Sequence, residues 1–273
     1  MRLSEATKIL KEAGVDNARH DARAIFEHFD KTLSSRLCFE DTETENESVL
    51  LAIARRAKRE PLQYILGEVG FFRESYEVTP DVLIPRSDTE ILVDFAVRNI
   101  PEGEHFIDLC TGSGCIAVSV LKNTKDTTAE AVDISAPALL VAKRNAAKNG
   151  VSERLSLTRL DVLSERATGE FFAVISNPPY VTKEAYEALE PELYSEPKIA
   201  LVAEDDGLCF YKKITSEYKN SIKEGGFILF EIGYDQGEKI KKIAESEGMR
   251  AEVIKDLSGN DRVAVLRKEP PSR

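Results

Sequence analysis

The chain has 273 residues, 42% of them hydrophobic and 31% charged, with a formal net charge of −11. This is the balance of a folded globular protein with room for one large domain, or a medium one plus a small one, and it excludes a disordered or fibrous chain. The negative field disfavours a nucleic acid partner, no apolar run approaches the roughly 20 residues of a membrane span, and MRLSEATKIL lacks an apolar signal core. A cytoplasmic protein with no membrane partner is expected. Four cysteines (Cys38, Cys110, Cys115, Cys209) form no CxxC pair, and three histidines (His20, His28, His105) fall at no metal-ligand spacing. Free thiols and no metal are expected.

In chain order, the first eighty or so residues read as helices. Leu3, Ala6, Leu10 and Ala13 share one helical face that Gly14 stops, a second helix runs from about Asn17 to Phe29, and Val49, Leu50, Ile53, Ala54 and Ala57 form a third stripe before Pro61. The other face of that third stripe carries Arg55, Arg56, Lys58 and Arg59, expected to be an exposed basic surface, and CFEDTETENE between the helices is an acidic loop. From Gly70 to Pro85 the period becomes strand-like, with the shape of a hairpin or extended connector between domains. SDTE at 87–90 then reads as a capping box: the Ser87 hydroxyl caps the N3 amide and Glu90 reaches back, opening a helix to about Asn99. The divisions are a helical domain at 1–69, a connector at 70–86 and the remainder at 87–273.

From His105 onward strands and helices alternate. Strands are predicted at 105–109, 129–133, 155–160, 171–176, 225–231, 250–255 and 261–267, with helical patterns between the first five. The implied architecture is α/β, a doubly wound and mostly parallel seven-stranded sheet. The last two strands are separated only by Ser258, Gly259 and Asn260, too short for a crossover, so they must run antiparallel.

Four predicted strand ends carry chemistry. After the first, Asp108 is followed by Cys110, Thr111, Gly112, Ser113 and Gly114, a turn whose glycines let a ligand lie against the backbone at a helix start. It is neither a P-loop nor a full GxGxxG, which favours an adenosine-containing ligand smaller than a dinucleotide. Asp133, about twenty residues on, is placed to accept hydrogen bonds from both ribose hydroxyls, or else neighbours a helix cap at Ser135. Asp161 and Val162 end the third strand where an adenine edge can be bonded and its face covered. Together these make the layout of an S-adenosylmethionine pocket. The fourth strand ends in VISNPPYVT, residues 174–182. Pro178 and Pro179 cannot continue a central strand, so the segment is either a mere turn or a slot. As a slot, the Asn177 side-chain carbonyl and the backbone carbonyls of Asn177 and Pro178 accept from an NH2 group, and Tyr180 stacks on a planar amide or base.

At this point the chain resembles the peptide-chain release factor glutamine methyltransferase family, within the class I S-adenosylmethionine-dependent methyltransferases. The resemblance rests on PLQYILGEVGFF (61–72), VLIPRSDTEILV (82–93), DLCTGSG (108–114), NPPY (177–180), EIGYDQG (231–237) and DLSGNDR (256–262), and spans the whole chain. It implies methyl transfer to the side-chain nitrogen (N5) of the glutamine in the GGQ motif of bacterial release factors. It also implies cofactor positions at Cys110 to Gly114, Asp133, Val162 and Asn177, a substrate slot at Asn177 to Tyr180, and a helical N-terminal domain that holds the protein substrate. Cys110 stands where the family pattern most often has glycine, and its Cβ is expected to fit without positive φ. A monomer is expected. The rival readings are an amino-methyltransferase acting on adenine or guanine in nucleic acid, a small-molecule N-methyltransferase, and a non-catalytic binding module.

Overall fold

The computed structural model describes residues 1–33 and 41–268. Cys38, the first part of the acidic loop at 38–47 and the tail beyond Lys268 lie outside the described residues. Contacts divide the chain into two compact units: Met1–Glu68 with Glu190–Ser195, and Val69–Leu189 with Glu196–Arg273. Among the described residues no helix is long and apolar enough to cross a membrane.

The first unit is helical, with α1 (Leu3–Glu12), α2 (Ala18–Phe29), α3 (Glu47–Arg56) and α4 (Leu62–Leu66). Helical spacing puts Leu3, Ala6, Leu10, Ile25, Phe26, Val49 and Ile53 into one buried cluster. The basic residues after α3 do not form the exposed surface expected of them. Arg56 is buried, donating from Nε to Asp21 at 2.8 Å and from Nη1 to Glu192 at 3.1 Å. Arg59 grips both oxygens of Glu192 at 2.6 and 2.7 Å, and Arg55 pairs with Glu60. Lys58 alone of the four is exposed. Apart from Glu60, the partner acids lie far off in sequence, so the run of charge looked solvated when it is mostly neutralised from within.

The second unit begins with a hairpin, β1 (Glu68–Phe71) and β2 (Glu74–Glu77), and continues with α5 (Thr89–Asn99), β3 (His105–Leu109), α6 (Cys115–Asn123), β4 (Thr128–Asp133), α7 (Ala136–Lys148), β5 (Leu155–Arg159) and β6 (Phe171–Ser176). Then come the short α8 (Lys183–Tyr186), α9 (Cys209–Tyr218), β7 (Ile222–Glu231), α10 (Gly237–Ser246), β8 (Met249–Lys255) and β9 (Asp261–Lys268). Strands β3 to β9 form one seven-stranded sheet in the order β5-β4-β3-β6-β7-β9-β8. It is parallel from β5 to β7, and β9 runs antiparallel to both β7 and β8, as the short last loop requires. Successive side chains feed opposite cores: Phe227, Leu229, Val263 and Val265 enter one cluster, Ile228, Phe230, Ala264 and Leu266 the other. That double burial explains why these strands read as continuous apolar runs.

Two local expectations fail. Between β5 and β6 no helix forms; residues 160–170 cross as turn and irregular chain. The capping box at 87–90 is also absent. The N-cap of α5 is Asp88, without a side-chain cap bond, and Glu90 accepts the Phe72 amide at 2.8 Å instead of reaching back. A tertiary partner, the Phe72 amide, has claimed the Glu90 side chain that local spacing assigned to the cap.

Candidate active site

The chain runs from β3 outward to β4 and β5, then returns to β6 on the other side of β3. The order reverses between β3 and β6, and in open α/β sheets ligands bind outside the carboxyl ends of the strands at such a point. A cavity of about 360 Å³ lies there. Its wall takes Cys110 and Gly112 from the end of β3, Asp133 to Ser135 from β4, Asp161 to Leu163 from beyond β5, and Asn177 and Pro179 from beyond β6. Apolar side chains, including Leu160, Val162, Leu163 and Phe210, line much of the remaining wall.

The turn after β3 is built by backbone conformation. Cys110, Gly112 and Gly114 have φ of +61°, +55° and +78°. The expectation of a Cys110 without positive φ is therefore wrong: the turn demands the left-handed region whatever residue stands there. Thr111 and Ser113 are buried and, with Gly114, stand behind the cavity wall rather than in it. The Thr111 hydroxyl donates to Asp108 at 2.6 Å, and the Gly114 amide to the Thr111 carbonyl at 2.8 Å. A Cβ at Gly114 would meet Ala142 at 3.0 Å, so glycine is needed there for space as well as for conformation.

Asp133 has two loads on the protein side. One carboxylate oxygen accepts the Gly112 amide at 2.8 Å and the other the Ser135 amide at 2.9 Å, while Ser135 itself caps α7 by accepting from Ala138. The ribose and cap readings of this position are therefore compatible: Asp133 ties the glycine turn to the start of α7 and still borders the cavity. Asp161 makes a tight turn of its own, accepting from the Leu163 amide and the Ser164 hydroxyl. Burial pushes Asp108 up to about 7, against bonds from Thr111 and Ala117, and raises Asp133 as well.

At the end of β6, Pro178 is buried and Tyr180 half-buried, and neither lines the cavity. Asn177 does. Its Nδ2 donates to the Thr89 hydroxyl at 3.3 Å; the Thr89 hydroxyl donates to Glu231, and the Tyr180 hydroxyl donates to the other Glu231 oxygen at 3.4 Å. Sheet parity explains the meeting. Ser176 pairs with Phe230 across the parallel β6/β7 ladder, so Asn177 and Glu231 are the next pair and point to one face. That face also holds Phe227 and Leu229, and α5, which Thr89 opens, packs against β7 there.

Residues 87–204 match the family described as "Methyltransferase small domain", and residues 2–67 match "PrmC N-terminal domain". The chain is 35% identical to the release factor glutamine methyltransferase of Caulobacter vibrioides, over 96% of its own length and 93% of the relative's. The chain belongs to the release factor glutamine methyltransferase family. A second member, from Thermodesulfovibrio yellowstonii, is 36% identical over 91% of the chain and 92% of its own length. Among solved structures, a methyltransferase from Pyrococcus furiosus covers 70% of the chain and is itself 86% covered, with a TM-score of 0.52 at 16% identity, a likeness of fold.

Of the residues expected at the site, Cys110, Gly112, Asp133, Asp161, Val162, Asn177 and Pro179 line the cavity, and the supports behind them were not expected. Thr89 and Glu231 lie inside the quoted blocks VLIPRSDTEILV and EIGYDQG, so the signal was present without a role attached. Asn145 carries no sequence signal of a role. It is fully buried, donating to the carbonyls of Ser113 and Glu77 and accepting the Glu77 amide, and so pins the glycine turn and the hairpin to α7. Residues 81–83 and 197–204 complete the wall, a contribution that only the fold reveals.

Proposed function

We propose that this chain transfers a methyl group from S-adenosylmethionine to the side-chain amide nitrogen of the glutamine in the GGQ motif of peptide-chain release factors. The observation that carries the reading is the Asn177 carboxamide at the cavity wall. Its NH2 is committed to Thr89, so its oxygen is the end left to accept from a substrate NH2. When bound, S-adenosylmethionine supplies an electrophilic methyl on a sulfonium that departs as a neutral thioether.

The chain's own work is positioning. Asp133 and Asp161 hold the adenosyl end, with Val162 over the base; the Cys110 to Gly114 turn lets the ligand lie close to the backbone. Asn177 accepts from the glutamine amide at the cavity wall; the Pro178 carbonyl takes the second N–H and Tyr180 stacks on the amide from a slot beside the cavity, since neither of them lines the cavity itself. Accepting both bonds localises a lone pair on a weakly nucleophilic nitrogen, and holding it in line for displacement is worth on the order of 7 kcal/mol or more. The helical unit holds the release factor by surfaces other than the Arg55 to Arg59 cluster, which is largely spent on internal ion pairs. The enzyme acts as a cytoplasmic monomer. Mass spectrometry of a GGQ-containing release factor after incubation with the protein and S-adenosylmethionine tests this: one added methyl on that glutamine is expected, and an unmodified glutamine beside a methylated nucleic acid base would overturn it.

A further inference from the structure

The buried acid Glu231 has no place in the chemistry above. It is 2% exposed, ends a central strand, and receives the Thr89 and Tyr180 hydroxyls on its two oxygens. We propose that Thr89 and Glu231 are positioning residues that decide which end of the Asn177 carboxamide faces the slot, and that the slot accepts hydrogen bonds only while Glu231 is ionised. This rests on the amide-substrate reading of Asn177.

Proton counting carries the inference. An ionised carboxylate only accepts. The single Thr89 proton is then drawn to Glu231, and the Thr89 oxygen is left to accept from Asn177 Nδ2, as it does at 3.3 Å. Asn177 must turn its oxygen the other way, toward the slot. A protonated Glu231 can itself donate to Thr89. That releases the Thr89 proton to seek the Asn177 oxygen and turns the carboxamide round, presenting an NH2 donor to a substrate NH2 donor. The contact becomes repulsive, and the glutamine nitrogen loses its anchor.

Charged and titratable groups face Glu231 from every neighbouring element: Tyr180 beyond β6, Arg262 on β9, Asp88 before α5, Tyr211 on α9 and Cys115 on α6. Burial opposes the ionised form most strongly and Asp88 adds to it, while the Thr89 hydroxyl, then Arg262 and the Tyr180 hydroxyl, favour it. Burial dominates and raises the Glu231 carboxyl above its ordinary value. The ionised, working form is therefore present above that raised value and lost as pH falls through it. An acid limb in turnover should lie above the usual carboxylate range.

The test uses the full chain with Thr89→Val, Thr89→Ser and Glu231→Gln. Turnover of release factor should rise with pH through one limb in wild type. In Glu231→Gln the limb should vanish, since a carboxamide neither gains nor loses a proton across this range. Thr89→Val should lose about 10- to 100-fold in kcat, the range for a lost orienting partner, with the Kd for S-adenosylmethionine nearly unchanged, and Thr89→Ser should recover most of the rate. The second readout needs no substrate: the Asn177 side-chain amide signals, observed by NMR with ¹⁵N-asparagine, should titrate with the midpoint of the acid limb in wild type and stay fixed in Glu231→Gln. Signals indifferent to pH, or a wild-type kcat in Thr89→Val, would overturn the relay. A wild type that shows the titration but never methylates release factor would leave the relay standing and remove the substrate reading instead.

Discussion

The two sides of the β3/β6 junction are held by different means. On the glycine-turn side most partners are near in sequence: Thr111 to Asp108 spans 3 residues, Ser135 to Asp133 spans 2, and Gly112 to Asp133 spans 21, with Asn145 to Ser113 the longest at 32. On the NPPY side, Asn177 reaches 88 residues to Thr89, Thr89 reaches 142 to Glu231, and Tyr180 reaches 51 to Glu231. A pocket for a common ligand can be made from backbone turns and one acid. A slot that must orient a single carboxamide needs side chains brought from three elements. The first should tolerate local change; the second should fail when any distant support moves.

The largest expected effect is on the slot. Asn177→Ala removes the acceptor and should lower kcat for glutamine methylation by roughly 10² or more, the scale of one lost preorganised contact, while calorimetry shows S-adenosylmethionine still binding. A wild-type rate would mean that the NPPY segment is only a turn. Next come two glycines that set the sides against each other. Gly207 has φ of +78°, and a Cβ there would lie 2.2 Å from the Tyr180 carbonyl oxygen. Gly207→Ala combines left-handed strain with overpacking, so denaturant unfolding should register a loss of about 2 kcal/mol or more. Gly112, at φ +55° with nothing within 4 Å of its added Cβ, should lose only about 1 kcal/mol on the same change. Equal losses would erase the distinction between the two sides. On the turn side, Asp133→Ala gives up charged hydrogen bonds worth about 1.5 kcal/mol or more each. Titration with S-adenosylmethionine should show affinity down at least about tenfold, and an unchanged Kd would remove Asp133 from the cofactor's contacts.

The same contrast explains what was legible in the sequence. The inner strands from His105 onward could be read to within a few residues because double burial makes them apolar on both faces, the edge strands β5 and β8 by their alternation, and the antiparallel end followed from the three residues at 258–260. The glycine turn, Asp133 and Asn177 were legible because each sits at a strand end, a place that the strand pattern itself locates. Thr89 was not. It stands between Ser87 and Glu90, whose spacing satisfied a local capping rule that gives Thr89 no role, and only the fold shows its hydroxyl spent on Glu231 and Glu90 spent on the hairpin. The Arg55 to Arg59 run failed for the same reason, since Asp21 and Glu192 are remote in sequence. Periodicity reports what a residue's own element needs; it is silent about a partner one hundred positions away.

The smallest effect is expected at the one turn residue that departs from the family pattern. Cys110 holds φ of +61°, a conformation costing a side-chain-bearing residue about 1–2 kcal/mol. Glycine would relieve that strain. It would also raise the entropy of the unfolded chain by about 0.5–1 kcal/mol and remove a thiol that packs against the apolar cluster on its face of the sheet. These terms nearly cancel, so Cys110→Gly should shift Tm by no more than about 4 °C. Turnover should hold within about threefold, because burial, followed by the neighbouring Asp133 and Asp108 charges, pushes the thiol well above its ordinary range, and a neutral thiol is a poor nucleophile and a poor base. The measurement that decides is kcat at saturating S-adenosylmethionine across neutral pH. A loss of tenfold would put the sulfur in the chemistry and make the turn side depend on a side chain, as the slot does.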